Sequence, residues 1–281
     1  MMRTYFLVLV VSLFFTSVFS QDLTLMTYNI RLDVKSDREN SWSNRKDFWI
    51  SQIQFYEPEI FGIQEGLPHQ VQFIKEQLPK YDYVGEGREG GNKGEYSAIF
   101  YNKDKFFIEK HGTFWLSETP QKKSIGWDAN LPRICSYALV KNKISGNIFW
   151  VFNTHFDHIG KKARAKSARL ILKKILKICS KNVPVVLMGD FNALPKSKAI
   201  NILNSEMNDS KEVAILQPFG PKGTFNGFQY LKESTARIDY IFVDKELIKV
   251  KKYAVLNNSC NFKYPSDHFP VYVQLTFKSN N

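Results

Sequence analysis

The 281-residue chain is 43% hydrophobic and 15% aromatic, which excludes a disordered chain and supplies enough apolar surface for one sizeable domain rather than two. A formal net charge of +12 points towards polyanionic partners such as nucleic acid, phosphoinositides or anionic membrane surfaces, and specifies no reaction. The three cysteines, Cys135, Cys179 and Cys260, are too few for a disulfide framework and leave at least one unpaired, so core packing has to carry stability.

In chain order, Arg3, an apolar run over residues 5–15 and the small or β-branched stretch ending at Ser20 read as a signal peptide over residues 1–20, cleaved before Gln21. The run is shorter than the roughly 20 residues a spanning helix needs, and secretion or periplasmic export is the expectation. Residues 23–28 read as a strand ending at Asn29. Ser43 is the expected cap of a helix carrying Phe48, Trp49, Ile53 and Tyr56, which Pro58 stops. A short buried strand follows at residues 60–63, then a helix over 68–78 with Pro68 in its first turn and Val71, Ile74 and Leu78 on one face. Strands are predicted at residues 96–101, 134–140 and 148–153. Residues 161–181 form the longest helical pattern, with Ile171, Ile175 and Ile178 on one face and lysines elsewhere, the pattern of a helix packed on a sheet with its lysines in solvent. A strand at 184–188, a helix at 195–204 and strands at 237–243 and 269–277 complete an interleaved α/β pattern with no repeat or composition break.

Polar residues gather where the buried strands end: Asn29, Glu65, His155 with Asp157, and Asp190 with Asn192. One such residue is usually a turn or a cap; their joint occurrence at strand ends is what marks a site. The oxygen-rich set Glu65, Asp190, Asn29 and Asp267 suits Mg²⁺ or Mn²⁺, whereas zinc would want more histidine or cysteine. Asp267 and His268 are adjacent and point to opposite faces, so Asp239, an acid set between Ile238 and Tyr240, is the candidate to orient His268 from a neighbouring strand.

Six blocks, Thr27 to Arg31, Ile63 to Glu65, Asn153 to His158, Met188 to Asn192, Arg237 to Tyr240 and Ser266 to His268, follow the order seen in the endonuclease/exonuclease/phosphatase superfamily, the deoxyribonuclease I-like proteins, which this chain resembles over nearly its whole mature length. That resemblance implies a four-layer α/β/β/α sandwich of two mixed sheets flanked by helices, with residues 21–281 as one catalytic domain. It further implies that Glu65, Asn29 and Asp267 hold the metal and that Asp190 orients or deprotonates the attacking water. Asn192 and His155 would hold the phosphate and His268, oriented by Asp239, would act as acid/base, with Arg133 and Asp157 as phosphate-binding residues. The expected partner is a phosphoester, nucleic acid favoured by charge, with lipid headgroups and sugar or inositol phosphates as alternatives; no dedicated protein partner is implied, and a monomer is expected. Where abasic-site endonucleases have an acid two residues beyond the first Asn, this chain has Arg31, which cannot ligate a metal and argues against DNA repair.

The run Gly85 to Gly90 matches G-x-G-x-x-G, but Gly91, Asn92, Lys93 and Gly94 cannot open a helix, so it reads as a loop bordering the substrate rather than a dinucleotide site. A calcineurin-like phosphatase would need an early Asp-x-His, a serine hydrolase a G-x-S-x-G elbow, and neither occurs. A metal-free binding module would have lost Glu65, Asp190 or His268, and all three are present.

Overall fold

The computed structural model describes residues 22–278, and the leader expected over residues 1–20 lies outside them. Strand β1 (Leu23–Asn29) leads through a 3₁₀ segment (Lys35–Asn40) to helix α1 (Trp42–Tyr56), β2 (Ile60–Gln64), α2 (Pro68–Gln77), β3 (Tyr81–Val84) and β4 (Ile99–Asn102). Then come β5 (Phe106–Trp115), β6 (Ile134–Asn142), β7 (Ile148–His155), α3 (Lys161–Ile178), β8 (Val185–Asp190) and α4 (Lys198–Glu206). Strands β9 (Met207–Asp209), β10 (Asp239–Asp244), β11 (Ile248–Val255) and β12 (Val271–Phe277) complete the order.

Two six-stranded sheets result, in the orders β11-β12-β1-β2-β4-β3 and β5-β6-β7-β8-β10-β9. Each has one central parallel pair, β1 with β2 and β7 with β8, and each pair is joined by a helix, α1 or α3, because a parallel connection must cross the sheet. Period-two alternation assigns the layers. Val186 and Met188 face Leu25, Val271 and Val273 between the sheets, while Val185 and Leu187 face outwards to Ile171 of α3 and Ile200 and Leu203 of α4. On the opposite outer face, Trp49 and Ile53 of α1 and Val71 and Ile74 of α2 cover Phe61 and Phe100. The α/β/β/α sandwich inferred from sequence is therefore the observed architecture, and α3 packs its apolar stripe as expected.

Local differences have local causes. Ser43 lies inside the first turn of α1, which Ser41 precedes, and α3 ends at Ile178 because Cys179 adopts extended backbone. Tyr96 bridges Gly66 and Gly87 instead of starting β4. All three cysteines are free.

Beneath the strand ends, one side chain ties the sheets together. Asn153 of β7 donates to the carbonyls of Ile63 (2.9 Å) and Ala98 (2.8 Å) in the other sheet and accepts from Gln64 Nε2 (2.7 Å). Gly62 leaves room for it, since a Cβ there would lie 2.6 Å from Asn153 Cγ. Asn153→Ala should cost about 2–4 kcal/mol in urea unfolding, combining a cavity with stranded buried polar groups; a loss under half a kcal/mol would show that the tie is energetically idle.

Candidate active site

The parallel strands deliver their C-terminal ends to one edge of the sandwich. Asn29 closes β1, Glu65 follows β2, His155 closes β7 and Asp190 closes β8. Asp239, first residue of antiparallel β10, stands opposite Asp190, and His155 flanks Asp190 on the other side, so three site residues share one row of the sheet. The segment before β12 brings Asp267 and His268 to the same edge, held where the Asn226 and Gly227 amides donate to the Asp267 carbonyl. Glu65 and Asn192 both have positive φ, a strain that persists at sites where surrounding structure fixes the backbone.

Asn29 Nδ2 donates to Glu65 Oε1 and to Asp190 Oδ2, each at 2.9 Å, and Asn29 Oδ1 accepts the Arg31 amide. Asn29 thus stands between the two carboxylates, with its own oxygen bonded to the Arg31 amide. Ligand atoms of Glu65, Asp190 and His268 lie within 4.8 Å of one another, with Asp267 beside them. Asp267 is in turn 3.8 Å from Arg31 Nη1. Three carboxylates, Glu65, Asp190 and Asp267, converge here with His268 and Arg31 beside them, a donor set that fits a hard divalent cation. Burial pushes the Asp267 carboxyl up despite His268; at Glu65, burial is outweighed by His268, Asn29 and the Leu32 amide, and its carboxyl sits below the usual range. A divalent ion at 100 times its Kd should raise stability by about 2.7 kcal/mol; Glu65→Ala should erase that rise in a thermal melt, and an unchanged metal-dependent shift would remove Glu65 from the metal site.

His268 Nδ1 lies 2.9 Å from Asp239 Oδ2, the orientation inferred from sequence. Although burial disfavours its charge, Asp239 and then Asp190 raise the imidazole well above its ordinary value, and the Phe225 ring packs edge-on against it at 5.1 Å. His155 is the opposite case: burial and Arg133 push its pKa well down, which favours the neutral imidazole. Arg133 Nη1 is 3.0 Å from His155 Nδ1, Arg133 Nη2 is 3.1 Å from His158 Nδ1, and Asn192 Nδ2 is 3.1 Å from His155 Nε2. These groups form a neutral-to-cationic cradle beside the acids.

Asp157 is not in that cradle. Its Oδ1 accepts the amides of Ile159 and Gly160, and its Oδ2 accepts those of Asn130 and Leu131. Instead of binding phosphate, it ties two loops together and stands 3.6 Å from Arg133 Nε. Three polar pocket residues escaped the sequence reading: His158, quoted in a motif without a role, and Arg88 and Glu95, brought in by the Gly-rich loop. They join the other groups around a cavity of about 550 Å³.

A tetrahedral oxyanion placed between the cradle and the acid cluster meets donors on one side and a cation-holding face on the other, and the class so defined is a metal-dependent hydrolase of phosphoric esters. The chain belongs to the endonuclease/exonuclease/phosphatase family, whose model matches residues 26–268. Among solved structures it is similar to a mannosyl-6-phosphatase from Bacteroides thetaiotaomicron VPI-5482, with 44% identity, TM-score 0.87 and coverage of 91% of this chain and 100% of that one. It is 30% identical over 255 residues to an uncharacterized protein of Acanthamoeba polyphaga mimivirus, covering 83% of this chain and 91% of the viral protein. A CCR4-Not 3'-5'-exoribonuclease subunit from Aspergillus niger is 22% identical over 92% of this chain, which spans 52% of that protein.

Proposed function

We propose that the protein is a Mg²⁺-dependent phosphomonoesterase acting on small, hydroxyl-rich alcohols such as sugar phosphates. The observation that carries this reading is the open pocket of about 550 Å³, with Arg133, His155 and Asn192 in its lining beside the acids, a volume suited to a small anionic ligand. The 44% identity to a mannosyl-6-phosphatase supports it.

In this reading Arg133, Asn192 and neutral His155 orient the phosphoryl group. Glu65, Asp190 and Asp267 would hold a divalent cation, which when bound would polarise the phosphoryl oxygen and offset charge on the leaving oxygen. Asp190 takes a proton from the attacking water, and His268, held protonated by Asp239, returns one to the departing alkoxide. Export through cleavage before Gln21 belongs to the same proposal, with residues 21–281 as one catalytic unit, and sequencing the mature N-terminus tests it.

Cleavage of nucleic acid remains as a second reading, favoured by the net charge of +12. A panel of p-nitrophenyl phosphate, bis-p-nitrophenyl phosphate, hexose and inositol phosphates, plasmid DNA, RNA and sphingomyelin, each with Mg²⁺, Mn²⁺ or EDTA, separates the two. Metal-dependent release of inorganic phosphate from monoesters is the expected result. Cutting of DNA or RNA with monoesters untouched would replace it with the nuclease reading.

A further inference from the structure

The hairpin over residues 85–96 does more than fill space. The Arg88 amide donates to the Glu95 carbonyl at 2.9 Å, and the Glu89 amide donates to the Lys93 carbonyl at 3.0 Å. Gly87 is required by this turn, because a Cβ there would lie 2.0 Å from the Lys93 carbonyl oxygen. Trp115 Nε1 clamps the Arg88 carbonyl at 2.8 Å, and Tyr96 N is tied to the Gly66 carbonyl at 2.8 Å. The result is a fixed presentation of two side chains at the pocket wall.

Those side chains form a two-point ion pair, Arg88 Nη1 to Glu95 Oε2 at 2.7 Å and Arg88 Nη2 to Glu95 Oε1 at 2.6 Å. Glu95 Oε2 also lies 4.0 Å from Arg133 Nη1, so the pair abuts the cradle. A carboxylate placed against a phosphate dianion is repulsive, and Arg88 already spends two donors on Glu95, so neither residue suits the phosphoryl group itself. Both suit hydroxyls: the carboxyl retains acceptor capacity, and the Arg88 guanidinium keeps N–H donors on Nη1 and Nη2 beyond the two spent on Glu95. Burial, outweighing Arg88 and Arg133, pushes the Glu95 carboxyl up to about 7.

We infer that Arg88 and Glu95 are the specificity-determining pair of the pocket, reading hydroxyl groups on the alcohol portion of a sugar phosphomonoester while the cradle and acids handle the phosphoryl group. This inference rests on the phosphomonoesterase reading and deepens it. A pocket built to hydrogen-bond a hydroxyl rejects an alcohol that lacks it, because its polar groups are left unpaired.

The test compares wild type, Glu95→Gln and Arg88→Met on hexose 6-phosphates and on p-nitrophenyl phosphate, whose leaving group carries no additional hydroxyls, with inorganic phosphate as inhibitor. Each variant should lose about 10–100-fold in kcat/KM on the hexose phosphate, mostly through KM. Turnover of p-nitrophenyl phosphate and inhibition by phosphate should stay within about threefold, which also shows that the variants fold. Parallel losses on both substrates would reduce the pair to a prop for Arg133 and overturn the inference, as would no loss on either. A wild-type enzyme that turns over no phosphomonoester would instead bring down the reading beneath it.

Discussion

Asp190→Asn should lower kcat by about 10³–10⁴-fold, the range expected when a positioned proton acceptor is lost, while making the metal-free protein more heat-stable. The stability gain follows from its surroundings: burial and then Asp239 push the Asp190 carboxyl up to about 7 from its ordinary 3.8. A raised folded-state value favours the protonated form, so this group's contribution to stability is complete below about pH 4 and is lost as pH rises through about 7. Asparagine is neutral at every pH and escapes that loss. Thermal melts in EDTA should therefore show the variant above wild type at pH 8 and the gap narrowing at pH 5. Full activity in Asp190→Asn would sink the proposed mechanism; a variant less stable at pH 8 would show that its hydrogen bonds to Asn29 and the Asn192 amide outweigh the buried charge.

The second large effect is expected at Asp239. Removing the carboxylate that orients a catalytic histidine costs on the order of 10⁴ in kcat in a serine-protease triad, and Asp239→Asn should approach that. It should also move the pH profile. Asp239 is the main influence raising His268, so its loss lowers the imidazole towards its ordinary value of 6.5 and shifts the alkaline limb of kcat/KM to lower pH. A reduced rate with an unmoved alkaline limb would mean that the Asp239 partner is not the group whose proton is titrated.

How far sequence reasoning reached depended on where a residue sits in the sheets. Central strands are buried on both faces and read as apolar runs, as in residues 185–188, and their ends point to Glu65, His155 and Asp190 directly. Strands β5, β9 and β11 went unread, and each is a sheet edge. Edges carry polar groups against unwanted pairing, such as Glu109, Lys110, Lys249 and Lys252, and β-bulges at Ile108/Lys110 and Val250/Lys252 break the period of two. The Asp239–His268 pairing was legible because a buried acid needs a partner. Arg88 and Glu95 were not, since nothing local in a Gly-rich loop says which wall it will join, and Asp157 resembled its neighbours in the motif while serving backbone amides.

The placement of β12 bears on how the enzyme comes into being. This last strand is interior, between β11 and β1, and the residues just before it are Asp267 and His268. A nascent chain that has not yet added residues 267–277 can neither complete the sheet that β1 begins nor bring the His268 imidazole to Asp190. Catalytic competence is therefore acquired only once β12 has been added, in one step with closure of its sheet.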